Sequence, residues 1–203
     1  MQPPLLLASS SPYRRALLAK LGLPFVAASP EIDESARPGE TADRLAVRLA
    51  GAKAGALSRA YTGHWIIGSD QVASLDNGQT LSKPGDFATA VAQLTRSSGR
   101  TVTFFTGLTL LNADTGEQQN HCETFRAHFR ELSPEEIKHY LEVEKPFDCA
   151  GSFKMEGLGI ALFRSLEGRD SNSLIGLPLI ALTDMLRHWG LNPLLAARPD
   201  PSL

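Results

Sequence analysis

The sequence predicts an α/β fold: a mixed, twisted sheet with flanking helices. Three observations carry this. Short apolar runs alternate with amphipathic stretches through the first hundred residues, as strands alternate with helices. Two long β-rich runs, 100–118 and 119–132, then follow each other across "NADTG", as in an antiparallel hairpin. Neither an internal repeat nor a convincing linker interrupts the 203 residues, so the whole chain, 1–203, reads as one domain.

The elements follow in order. Leu5 to Ala8 is a short buried strand bounded by Ser9 and Ser10. Ser11 is a good N-cap and Pro12 suits the first helical position, with Leu17, Leu18 and Leu21 on one face and Gly22 as the stop. "PFVAASPEIDES" is a second strand running into an acidic loop. Residues 41–57 form a helix, with Leu45, Leu49, Ala52 and Ala56 at i, i+4, i+7 and i+11. "HWIIGSDQVASL" is a buried strand ending in a polar cluster. "GDFATAVAQLTRSSG" is a helix closed by glycine, and "SPEEIKHYLEVEK" has a serine N-cap, a proline and early acids. "LPLIALTDMLRHWG" is the last long helix, ending before Gly190, and about eight C-terminal residues are expected to be a disordered tail.

Composition narrows the function classes. At 42% hydrophobic, 21% charged and net charge −2, the chain has no global basic field for nucleic acid or an anionic membrane surface. No run approaches 18 apolar residues, and the N-terminus lacks the basic and apolar regions of a secretory signal. Cys122 and Cys149 have no metal-ligand spacing and read as packed thiols in a reducing compartment, which makes a cytoplasmic protein the expectation. The five histidines are scattered and read as surface or packing residues.

Common nucleotide and hydrolase signatures are absent: no P-loop, no G-x-G-x-x-G after a strand, no G-x-S-x-G elbow. What remains is local charge where elements end. A helix N-terminus carries partial positive charge, so Arg14 and Arg15 are electrostatically misplaced there unless an anion sits among the serines, the free N–H groups and an arginine. The same stretch also fits an ordinary strand–loop–helix with both arginines in water. Ile66 and Ile67 deliver Ser69, Asp70 and Gln71 to a strand end, where ligands of α/β folds sit. A carboxylate there can orient water or hold a cation, or simply cap a turn. Glu31, Asp33 and Glu34 form an acidic loop that suits Mg²⁺ if brought beside Asp70. Lys53 on "LAGAKAGAL" and Lys83 in "SKPGD" are phosphate-binding candidates or solvated lysines.

The combination of "LASSSPYRRALLAKLG", "PEIDES", "AGAKAGAL", "IGSDQV", "LSKPGD", "FFTGLTLLN", "GSFKMEG" and "NSLIGLPLIAL" resembles the Maf family of nucleoside triphosphate pyrophosphatases, in order, from residue 5 to about 195. The resemblance implies a fold related to inosine triphosphatases, two lobes around a cleft, and hydrolysis of the α–β phosphate bond with Mg²⁺ or Mn²⁺. On matching positions it implies that Ser9 and Arg14 bind phosphate, Lys53 and Lys83 hold the polyphosphate, and Glu34 and Asp70 serve metal and water. Asp70 is then the catalytic proton acceptor. Tyr13, Gln71 and Glu156 stand where the thymidine/uridine subgroup typically has arginine, threonine and glutamine, so the chain is similar to the 7-methyl-GTP subgroup, although that subgroup more often has tryptophan at the position of Tyr13. The resemblance also implies a homodimer, for which the run "TVTFFTGLTLL" offers apolar surface, unless it faces the chain's own core. Two further readings stand beside it: a pyrimidine or broad-specificity pyrophosphatase, and a nucleotide-responsive regulator of cell division or septum formation with little turnover.

Overall fold

The computed structural model describes residues 2–197. Strand β1 (Leu5–Ala8) lies between β2 (Phe25–Ala28) and β3 (Trp65–Leu75), parallel to both. The long strands β3, β5 (Thr101–Asn112) and β6 (Gln118–Phe129) then run antiparallel, and β7 (Phe163–Glu167) closes the order β2-β1-β3-β5-β6-β7. A two-residue strand, β4 (Thr80–Leu81), pairs with the far end of β3. The sheet is mixed, as the alternation of early elements and the late hairpin require.

The helices are α1 (Pro12–Ala19), α2 (Ala42–Leu57), α3 (Phe87–Ser97), α4 (Pro134–Glu144), the single turn α5 (Asn172–Ile175), α6 (Leu179–His188) and the single turn α7 (Pro193–Ala196). Their starts are chemical. Ser11 and Asp86 accept from the third residue of their helices, and Ser133 with Glu136 completes a capping box. Gly22 and Gly190 take positive φ just past α1 and α6, as their placement in the sequence predicts.

Side chains of β3 and β5 alternate between two faces. On one face Trp65, Ile67, Leu108 and Leu110 pack with α1 and α6, while Ala73, Leu75, Val102 and Phe104 pack with α3, α4 and a group of phenylalanines. Two apolar clusters thus share the same strands, separated on β5 by the buried Thr106. The opposite face carries α2, which lies close because the strands present Gly68 and Gly107 to it. A Cβ at either glycine would collide with the carbonyl of Ala50 or Ala46.

Three expectations are corrected. The buried face of α2 is Ala46, Leu49, Ala50, Lys53 and Ala54, rotated from the expected stripe, because small residues let the helix seat on the glycines. β3 runs to Leu75 as its quoted stretch expects, but Ser69, Asp70 and Gln71 lie in mid-strand rather than at its end, since β5 pairs with β3 along its whole length. The apolar residues of β5 other than the half-buried Phe105 are buried within the chain, so the strand does not present the broad apolar surface expected of it. The expected tail of about eight residues lies almost wholly at 198–203, outside the described residues, and just before it Pro193–Ala196 form a helical turn.

Candidate active site

On one edge of β3, β1 pairs as far as Gly68 and β4 begins at Ala73. Between them Ser69, Asp70, Gln71 and Val72 have no strand on that side. A cavity of about 630 Å³ opens around this stretch of bare edge, within the usual size of a small-molecule site. Its wall includes every residue to which the family resemblance gives a role: Ser9, Tyr13, Arg14, Glu34, Lys53, Asp70, Gln71, Lys83 and Glu156. Glu31 and Asp33 do not line it, and Asp33 instead accepts from Ser35 N at 2.9 Å, so the acidic loop contributes Glu34 alone.

Asp70 points to the α2 face of the sheet, where the close seating of that helix carries Lys53 to it. Lys53 Nζ lies 2.5 Å from Asp70 Oδ1 and 2.7 Å from Glu34 Oε1. The lysine and aspartate are buried, while the Glu34 side chain is 58% exposed. The hydrogen bond from Lys53 is the main cause holding the Glu34 carboxyl below its ordinary range, with the charges of Lys53, Lys83 and Arg14 adding to it. The Glu34 loop is tied down by Arg48, which donates to Ser35 O at 2.9 Å and grips Glu40 with bonds of 2.6 and 2.8 Å.

The start of α1 presents groups able to bind an anion. Ser9 Oγ accepts from Ser11 N, and Ser11 Oγ from Arg14 N, so each hydroxyl keeps its proton to donate. Arg14 Nε donates to Gly176 O at 2.9 Å, which leaves its terminal nitrogens uncommitted among the described residues, while Arg15 lies outside the cavity. Desolvation pulls the Arg14 guanidinium down from its ordinary range, opposed by Asp70 and Glu34. Lys83, exposed at the rim, has no ion-pair partner among the described residues. Gln93 holds its loop by donating to Ser82 O at 3.0 Å. The misplaced charge at the head of α1 thus belongs to a cationic wall of Arg14, Lys53 and Lys83.

Another part of the cavity is acidic. Tyr13, Asp148, Cys149 and Glu156 line it together, and the Tyr13 phenol is pushed up by burial first, then by Cys149, Asp148 and Glu156. Burial likewise pushes the Cys149 thiol up to about 12, so it is a packed thiol rather than a nucleophile. Glu156 is exposed and does not cap the glycine-rich loop. That task falls to Glu144, whose carboxylate accepts from Leu158 N at 2.6 Å.

Gln71 follows Asp70 in sequence but lies on the opposite face. Its amide donates to Ser173 O and Leu174 O, at 2.7 and 3.1 Å, and so ties α5 to the sheet instead of standing free. Three residues here escaped the sequence reading: Glu144, Gln93 and Asp170. Each binds backbone groups distant in sequence, and no local pattern marks such a contact.

No group of three or more His, Cys, Asp or Glu gathers as a metal cage among the described residues. Asp70 and Glu34, joined by an ammonium, instead match the way Mg²⁺ is held by one or two carboxylates and completed by substrate phosphates. No helix of the described residues is long and apolar enough to cross a membrane.

The chain is 61% identical over 190 residues to the 7-methyl-GTP pyrophosphatase of Pseudomonas syringae pv. tomato, covering 94% of this chain and 98% of that protein. It is 56% identical over 189 residues to the protein of the same name from Pseudomonas aeruginosa, covering 93% and 98%. Among solved structures, a HAM1 protein from Coxiella burnetii shares the fold, with a TM-score of 0.51 at 13% identity, covering 93% of this chain and all of that one. The family model described as Maf-like protein matches residues 4–189, and by that match and these relatives the chain belongs to the Maf family.

Proposed function

We propose that this chain hydrolyses the α–β phosphate bond of 7-methyl-GTP, releasing 7-methyl-GMP and pyrophosphate. One observation carries the reading: a single cavity joins a cationic wall suited to a polyphosphate with an aromatic and acidic wall suited to a cationic base. The name shared by the Pseudomonas relatives supports the same substrate.

Water attacks the α-phosphorus and the bond to the β-phosphate oxygen breaks. Asp70 takes the proton of the attacking water. Lys53, Lys83 and Arg14 meet the charge that builds on the departing pyrophosphate, which is why cations rather than a covalent nucleophile surround this carboxylate. Ser9 donates its hydroxyl proton to a phosphate oxygen. A divalent cation, Mg²⁺ or Mn²⁺, would be held by Asp70 and Glu34 and supplies neutralisation of phosphate charge.

Guanine offers two donors, N1–H and the exocyclic amine, to an acceptor such as Glu156. Methylation at N7 makes the ring cationic. The cation gains about 0.5–1 kcal/mol on the face of Tyr13 and about 0.2–1 kcal/mol from an exposed acid. Together these give a preference of about tenfold over GTP, at about 1.4 kcal/mol per decade. Gln71 acts on the pocket through α5.

The test is kcat/KM for 7-methyl-GTP and GTP in wild type, Tyr13→Ala and Glu156→Gln, with products identified and Asp70→Asn as the chemical control. Both pocket variants should lose the preference, and Asp70→Asn should lose about 10²–10⁴ in turnover. Diphosphate plus orthophosphate as primary products, or a wild-type preference in both pocket variants, would overturn the reading. The reading also includes a cytoplasmic setting, supported by two free thiols, and a homodimer, against which a monomer mass by light scattering at micromolar concentration would count.

A further inference from the structure

The segment from Asp170 to Ile180 crosses the sheet face opposite α2, where Leu174 and Ile175 line the cavity and two backbone carbonyls hold site residues. Ser173 O accepts from Thr106 Oγ1 at 2.9 Å and from Gln71 at 2.7 Å. Gly176 O accepts from Arg14 Nε, and from Ser69 Oγ at 2.9 Å. The Ser69 hydroxyl also lies 2.8 Å from Gly107 O and has one proton for both, so it does not by itself hold Gly176 in place. Gly176 has a φ of +122°, and a Cβ there would sit 3.2 Å from Arg14 Nε, so the approach of carbonyl to guanidinium needs a glycine.

What closes this segment is Asp170, a carboxylate only 2% exposed and about as buried as the core around it. Its Oδ1 accepts from Asn172 N at 2.9 Å and Asn172 Nδ2 at 2.8 Å, and its Oδ2 accepts from Ile180 N at 2.8 Å. One carboxylate therefore joins the start of α5 to the start of α6 and draws residues 170–180 into a ring. Gly176 lies on that ring.

We propose that Asp170 is a positioning residue for Arg14: by closing the ring it sets the Gly176 carbonyl that holds Arg14 Nε and turns the terminal nitrogens to the phosphates. The inference rests on the reading of Arg14 as a phosphate ligand. Asp70 and Glu34 both attract the Arg14 guanidinium. Once the Gly176 carbonyl shifts, nothing on that side opposes their pull, and the arginine turns from the substrate to the carboxylates.

The test is a double-mutant cycle on pyrophosphate release from 7-methyl-GTP, with thermal midpoints measured alongside. Asp170→Asn places amide N–H donors against backbone donors. It should lower kcat/KM by about tenfold or more, since small misplacements of a binding group cost up to about 10²-fold. In an Arg14→Ala background the same change should cost nothing further in kcat/KM, while its effect on the thermal midpoint persists. Equal losses in kcat/KM with and without Arg14, or no loss in wild type, would overturn the inference. If Asp170→Asn does not fold, Asn172→Ala, which removes one bond to Asp170, goes through the same cycle and is decided by the same outcomes. No loss in Arg14→Ala alone is a separate failure, of the phosphate role of Arg14, and removes the inference with it.

Discussion

Replacing Lys53 by methionine keeps the unbranched stem that fills the space between α2 and β3 and removes only the ammonium. That ammonium sits 2.5 Å from Asp70 and 2.7 Å from Glu34, so the two carboxylate oxygens are at most the sum of those lengths, about 5 Å, apart. Two unit charges at about 5 Å repel by about 3 kcal/mol at an effective dielectric of about 20. With the Glu34 side chain 58% exposed, solvent screening reduces this to about 1–2 kcal/mol. The hydrogen bond from the ammonium is the main cause holding the Glu34 carboxyl below its ordinary range, so without it that repulsion stands uncompensated and the acid limb of the pH–kcat/KM profile should move up in Lys53→Met. On the proposed function the variant also lacks one of the charges that meet the leaving pyrophosphate, and losing such a group costs about 10²–10³ in kcat. The assay is pyrophosphate release from pH 5 to 9 at saturating metal, with a thermal melt to show that the variant is folded. A folded Lys53→Met protein with the wild-type acid limb and wild-type kcat would refute the reasoning, because the ammonium would then neither compensate the carboxylates nor hold the substrate.

Two further outcomes are expected. Gly68→Ala pushes a methyl group into the backbone of α2 at Ala50 and Ala54, which cannot rotate away, and should cost about 1–3 kcal/mol as overpacking. At about 2–4 °C per kcal/mol the melting temperature falls by several degrees, and turnover falls with it as Lys53 is lifted from Asp70; a wild-type melt and rate would contradict this seating of α2. The Glu40 carboxyl is held at about 2, chiefly by hydrogen bonds from Arg48, below its ordinary 4.5. The folded state therefore binds fewer protons there than the unfolded state, and the pair's contribution is present above about pH 4.5 and lost as pH falls toward about 2. Melts across that window should show a steeper loss for wild type than for Glu40→Gln, and parallel curves would remove this role for the pair.

Local signals are legible in the chain because they depend on neighbours within four residues. Ser11, Ser133, Gly22 and Gly190 mark helix ends whatever the helices pack against, and the strands announce themselves by apolar runs. The face of α2 was misread for the opposite reason. Its buried side is chosen by Gly68 and Gly107 on two other strands, and small residues seat there although Leu45 and Ala56 make the stronger apolar stripe. Strands β4 and β7 and the turn α5 are too short to show a period and form only because β3, β6 and the carbonyl contacts of Gln71 and Thr106 hold them.

The sequence by itself determined the alternation of strands and helices, the caps, and the residue types of the site. Their order along the chain carries the family resemblance. Only the tertiary structure decided how they meet, because one strand serves two faces and two partners along a single edge. β1 pairs with β3 only as far as Gly68 and β4 only from Ala73, which leaves Asp70 and Gln71 on a bare edge, facing opposite ways. Asp70 is thereby given to Lys53, and Gln71 to the carbonyls of α5. Adjacent residues in a strand are separated by the thickness of the sheet, and no pattern in the chain shows where a neighbouring strand will end.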